Sequence, residues 1–224
     1  MGWREFLAGV EYGVFFANGF SQWKAFEEAF GSGVGGKEFD MALLKIAKLG
    51  NPILREIAKP VDLKELSKSD NDIRNLVQDM VETMHHEGGV GLAAPQVSRS
   101  LQLVILECAD NKRYPDEESI PLTVLINPVI THYKEETQMG WESCLSLVDF
   151  RGLVPRSTAV TVEAWNLEGQ KVTIEAEDFL AVVLQHEIDH LNGMVFIDRM
   201  EDFTQLAYQE EFETYWAEPE PDDL

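Results

Sequence analysis

The sequence predicts an α+β domain in which antiparallel sheets pack around a central helix bearing a metal-binding histidine spacing. Three observations predict it. Between 69 and 86, Ile73, Leu76, Val77, Met80, Val81 and Met84 recur at three and four residues, the single apolar stripe of an amphipathic helix. Strand-like apolar runs follow at 101–106, 122–126, 159–165 and 171–176. The last two flank Asn166-Leu167-Glu168-Gly169, a turn signal that pairs them as a hairpin. A second helix starts near Asp178, runs through Phe179, Val182, Val183 and His186, and stops at Asn192-Gly193. Helix, strands, then helix, without strict alternation, is an α+β order.

In chain order, residues 1–40 stand apart. They carry aromatics but neither the basic start and apolar run of a secretory signal nor the basic character of a mitochondrial presequence. Gly31-Ser32-Gly33-Val34-Gly35-Gly36 reads as a flexible joint, and Met41 opens a fresh start. The first forty residues are therefore expected to be an appendage, 41–200 the main folded domain, and 201–224 an acidic tail. The first helix can be capped by Ser69 or Asp70 and is stopped by Gly88-Gly89. The tail holds nine Asp or Glu and no Lys or Arg, a run expected to be solvated.

Composition narrows the function classes. No run approaches the ~18 uncharged apolar residues of a membrane-spanning helix, so no membrane association is expected. Two cysteines, Cys108 and Cys144, make no disulfide framework, which points to a reducing, cytoplasmic setting. A formal net charge of −22 argues against direct nucleic-acid binding, which needs clustered Lys and Arg on phosphates.

The chemistry lies in His186-Glu187-Ile188-Asp189-His190. Histidines four apart share a helix face, so both rings can reach one metal ion at ~2.0–2.1 Å. Glu187, ~100° round the helix, is set to take a proton from water and pass it to a leaving nitrogen. The plain alternative is two surface histidines on one face; the apolar neighbours Leu184 and Leu191 make that expensive. His85 and His86 point apart and suit the negative end of their helix, and His132 suits the surface. Cys144 reads equally as a third ligand or as a small core residue.

Three motifs in fixed order resemble the peptide deformylase family: Gly89-Val90-Gly91-Leu92-Ala93-Ala94-Pro95-Gln96, then Glu142-Ser143-Cys144-Leu145-Ser146, then Gln185-His186-Glu187-Ile188-Asp189-His190-Leu191-Asn192-Gly193. The likeness runs from about 41 to 199. It implies a hydrolase that removes the formyl group from the N-terminal methionine of newly made proteins. Cys144, His186 and His190 would hold one divalent ion, Fe2+ first, with Zn2+, Ni2+ or Co2+ as substitutes. Glu187 would serve as base and then acid, while the Gln96 amide and the Leu145 N–H would stabilise the oxyanion. Gly89 and Gly91 would let the substrate backbone approach. Val90, Glu142, Phe179, Val182 and Val183 would line the methionine pocket, although core packing explains those apolar side chains equally well, and Arg151 would reach the peptide backbone. N-formylmethionyl nascent peptides are the expected partners, and the protein is expected to be a monomer.

Two alternatives compete. A zinc peptidase would use the same histidines and Glu187 but leave Cys144 and Gln96 without a role. A catalytically silent peptide binder would have no need of Glu187. The chain also departs from the family pattern. Ser143 stands where glycine is usual, costing on the order of 1 kcal/mol if a positive φ is needed there, and Val148 stands where many relatives have proline. Some relatives dock on the ribosome through a basic C-terminal helix; the acidic tail here would be repelled, so ribosome contact by that route is not expected.

Overall fold

A computed structural model describes residues 43–67, 72–108 and 119–217. The expected appendage at 1–40, its glycine-rich joint, and the proposed caps Ser69 and Asp70 lie outside the described residues. Helix α1 spans Asp72–His86 and buries the six residues of the sequence stripe together with Thr83. It stops where Gly88 turns left-handed at φ 65° and Gly89 N–H donates to the Met84 carbonyl at 2.9 Å. His85 pairs with Glu107 and His86 with Glu87, and His132 is exposed.

Two antiparallel sheets follow. The first has the order β1 (Gly91–Ala93), β2 (Leu103–Cys108), β3 (Ile120–Tyr133), β6 (Ala159–Trp165), β7 (Lys171–Glu177). The second has the order β4 (Thr137–Glu142), β5 (Phe150–Ser157), β8 (Leu206–Tyr208). The expected hairpin forms as β6 and β7, closing with Trp165 opposite Lys171, and Asn166 Oδ1 accepts from Glu168 N–H and Gln170 N–H across the turn. Helix α2, Asp178–Leu191, touches β1, β2, β3, β6 and β7 of the first sheet and β5 of the second. Its Ala181, Val183, Leu184, Ile188 and Leu191 bury with Val104, Leu106, Leu125 and Val162 in the main core. A smaller core gathers Cys144, Leu147, Val154, Val195, Phe196 and Met200. Both cysteines are buried and neither is in a disulfide.

Several elements differ from the sequence reading. Strand β3 continues past 126 because the Asn127-Pro128 pair, a turn signal, is absorbed by a register shift between Ile126 and Val129. Asn127 adopts φ 51° and clamps Val61, accepting from its N–H at 2.8 Å and donating to its carbonyl at 3.0 Å. Strands β4 and β5 escaped notice because one is polar and the other contains Gly152 and Pro155. Gly152 is needed there: a Cβ would come 2.7 Å from both Phe196 Cε2 and Met200 Sδ.

The expectation of a wholly solvated tail is corrected for 206–217. Strand β8 pairs with β5, and helix α3, Gln209–Tyr215, follows it. Phe212 and Trp216, four apart, place their rings 4.9 and 5.4 Å from Trp141. Two aromatics on one helix face outweigh the solvation of the intervening acids.

Candidate metal centre

The local sequence explains how the ligands converge. In α2, His186 and His190 lie one turn apart, their ring centroids 5.0 Å from each other. Cys144 is delivered by the link between β4 and a short 3-10 turn at Leu145–Leu147, and its Sγ lies 3.3 Å from His190 Nε2. One ligand atom from each of Cys144, His186 and His190 lies within 4.8 Å of the others. The fold gives Cys144 both places: it belongs to the smaller core, and its Sγ lies beside the histidines.

The surroundings favour a cation. Burial works to lower the His186 pKa, yet hydrogen bonding and charge from Cys144 and Glu142 raise it well above the ordinary histidine value. The pocket therefore stabilises positive charge on His186 between the Cys144 sulfur and the Glu142 carboxylate. A soft thiolate with two imidazoles is also a donor set suited to first-row divalent metals. His190 is held well below its ordinary value by burial and by the charge of His186.

Glu187 is buried, and its Oε2 has no hydrogen-bond partner among the described residues. Burial raises its carboxyl to about 7, against a smaller opposing effect of His186. An unpartnered carboxyl in the interior is costly to keep and marks a site with work to do. Its side chain rests against Gly91, where a Cβ would lie 2.8 Å from Glu187 Cδ and closer still to Oε1. Gly91→Ala is therefore expected to displace the carboxylate and lower kcat by about 100-fold, the effect of roughly 1 Å of misplacement. Steady-state kinetics beside an unchanged melting curve would check it.

Gln96 is fixed at both ends. Its Oε1 accepts from Ala93 N–H at 2.8 Å, which turns Nε2 toward Cys144 Sγ and Ser146 Oγ, each at 3.4 Å. Leu145 begins its 3-10 turn, a position whose N–H has no acceptor within the helix. Ser143 is not among the positive-φ residues, so the strain considered for a serine at that position does not arise.

The remaining expected residues divide. Val90 and Phe179 are half-buried against the main core, Val182 is half-buried outside it, and Val183 belongs to it. A Cβ on Gly89 would come 2.9 Å from Leu145 Cδ1. Glu142, expected in the pocket wall, has both oxygens engaged behind His186. Oε2 lies 2.8 Å from His186 Nδ1 and 3.0 Å from Arg156 Nη2, and Oε1 accepts from Arg156 Nε at 2.7 Å. Burial would raise its pKa, but hydrogen bonds from His186 and Arg156 hold it at about 2. Arg151, expected to reach a peptide, is buried with its guanidinium 5.9 Å from the Phe212 ring centroid.

Two residues of this surround, Arg156 and Arg199, lie in none of the three motifs. Arg156 Nη1 donates to Asp189 Oδ2 at 2.6 Å, and Arg199 Nη2 donates to Asp189 Oδ1 at 2.6 Å. Glu142, Arg156, Asp189 and Arg199 thus form a chain of alternating charge behind His186. The available signal was Asp189 itself, a charge between Ile188 and His190 on a buried helix, which requires a counter-ion.

Residues 43–205 match the family described as polypeptide deformylase. Peptide deformylase 1 of Bordetella pertussis is 45% identical over 165 residues, covering 74% of this chain and 92% of the relative. Peptide deformylase 2 of Pseudomonas putida is 44% identical with the same coverage. Among solved structures, the Met-Ala-Ser-bound class I type b peptide deformylase of Acinetobacter baumannii superposes with a TM-score of 0.68 at 40% identity, over 71% of this chain and 99% of that one. The Thermotoga maritima peptide deformylase gives 0.62 at 35% identity, over 72% and 99%. With the three motifs gathered round one ligand cluster and this likeness along nearly the whole length of its relatives, the chain belongs to the polypeptide deformylase family, metal-dependent hydrolases that remove the N-formyl group from an N-terminal methionine.

Proposed function

We propose that Cys144, His186 and His190 hold one divalent cation, Fe2+ in the cell with Zn2+, Ni2+ or Co2+ able to replace it, and that Glu187, Gln96 and Leu145 carry the hydrolysis. The observation that carries this reading is the three-ligand cluster beside a buried carboxyl whose Oε2 has no partner among the described residues. Bound there, the cation supplies Lewis acidity toward a carbonyl oxygen and a water molecule. Glu187 takes the proton that water loses as its oxygen attacks the formyl carbon. The Gln96 Nε2–H and the Leu145 N–H donate to the carbonyl oxygen as it gains charge. Glu187 then returns its proton to the departing nitrogen as the C–N bond breaks, leaving formate and a free amine.

Gly89, Val90 and Gly91 take the substrate backbone alongside β1, and Phe179 and Val182 receive the methionine side chain. Val183 and Glu142 support that wall from behind. Arg151 meets the peptide further along. The Met-Ala-Ser bound by the Acinetobacter baumannii neighbour supports a ligand that begins with methionine. In this reading the protein is a cytoplasmic monomer acting on nascent chains, and ribosome contact does not run through a basic C-terminal helix. The same reading starts the catalytic domain at 41, with 1–40 as an appendage, and carries it past 200 to take in β8 and α3.

Formate release from formyl-Met-Ala-Ser after anaerobic iron loading tests the proposal, with bound metal counted in parallel. Expected are one metal ion per chain, formate from the formylated peptide, and loss of both metal and formate in Cys144→Ala. Equal cleavage of unformylated peptides, or full metal retention in Cys144→Ala, would overturn it.

A further inference from the structure

The segment at 47–49 precedes all three motifs, yet it is tied to two of them. Ala47 N–H donates to the Gln96 carbonyl at 2.7 Å, and Leu49 N–H donates to the Ser146 carbonyl at 3.0 Å. Between them, Lys48 Nζ donates to the Leu145 carbonyl at 2.9 Å. That carbonyl belongs to the same peptide group as the Ser146 N–H, which donates to Cys144 Sγ at 3.4 Å. A cation on the oxygen of a peptide group draws electron density toward itself and makes the N–H at the other end a stronger donor. The second donor to Sγ, Gln96 Nε2, sits on the residue that Ala47 holds.

We propose that Lys48 is a positioning residue that limits how much charge Cys144 donates to the cation. The inference rests on Cys144 being a ligand. Lys48 touches neither substrate nor metal ligand. It acts through one peptide group, strengthening the hydrogen bond on sulfur and so keeping the ion a better Lewis acid. Groups outside the ligand set commonly tune a site in this way.

The test uses the full chain loaded anaerobically with Co2+, comparing the parent with Lys48→Met and Lys48→Arg. Lys48 is exposed, so both variants should melt like the parent. Expected is a move of the thiolate-to-cobalt charge-transfer band to longer wavelength in Lys48→Met, since a sulfur with a weaker hydrogen bond gives up electrons more easily. Lys48→Arg should return the band toward the parent position. Deformylation by Lys48→Met should show kcat lowered about 10-fold with KM unchanged. A band in the same place for Lys48→Met and the parent, or an arginine variant that behaves like the methionine one, would overturn the proposal. A parent protein with no such band would instead remove Cys144 from the ligand set, and the role of Lys48 with it.

Discussion

Glu187→Gln is expected to lower kcat for formate release by about 10²–10⁴-fold, the usual contribution of a positioned acid–base group. Bound metal should stay near the parent level, because the three ligands are untouched. The same substitution should also change stability, in the opposite sense. In the folded, metal-free protein the Glu187 carboxyl sits at about 7, against 4.5 for a free glutamate. A carboxyl raised on folding favours the folded state while it is protonated. That contribution is complete below pH 4.5 and is lost as pH climbs to about 7, on the order of 3 kcal/mol at 1.36 kcal/mol per pKa unit. Glutamine cannot ionise, so the variant should gain on the metal-free parent across this window. Urea midpoints at pH 5 and pH 8 would show it. Parent and variant curves that run parallel between those values would refute the buried, unpartnered carboxyl.

The second large effect is on folding. Arg156 is buried between two buried carboxylates, bidentate to Glu142 and bonded to Asp189. Arg156→Leu would take from Glu142 its guanidinium partner and leave Asp189 with Arg199 alone, a change expected to cost about 3–5 kcal/mol. Glu142 would also lose the partner that orients it toward His186. Metal should therefore leave the variant faster than the parent, measurable with a chelating dye. Neutralising the carboxylates in the same background, Glu142→Gln with Asp189→Asn, should recover much of the stability but not the metal retention. Unchanged melting in Arg156→Leu alone would contradict the arrangement.

Much of the centre could be read from the residues, because helix spacing fixes which side chains share a face. His186 and His190 had to meet. Cys144 was different: its distance from α2 in sequence left a core role equally open, and only the family likeness favoured it before the fold was known. The pairing of β4 with β5 is what brings Arg156 to Glu142, and neither strand shows an alternating apolar pattern. Lys48 gave no signal at all, since an exposed lysine near a strand-poor segment is ordinary. The C-terminal aromatics were legible in principle at their spacing of four but were hidden by the acidic run around them.

Glu142, Arg156, Asp189 and Arg199 carry two negative and two positive charges, so they add to zero behind the ligand cluster. The field they make there is that of paired dipoles, which dies away quickly with distance. The formal −22 of the chain comes from other residues, and where charge meets water ions screen it over ~8–10 Å. Added salt should therefore alter how readily a charged peptide finds the protein, while the bond-breaking step, insulated by this electroneutral lining, proceeds at the same rate.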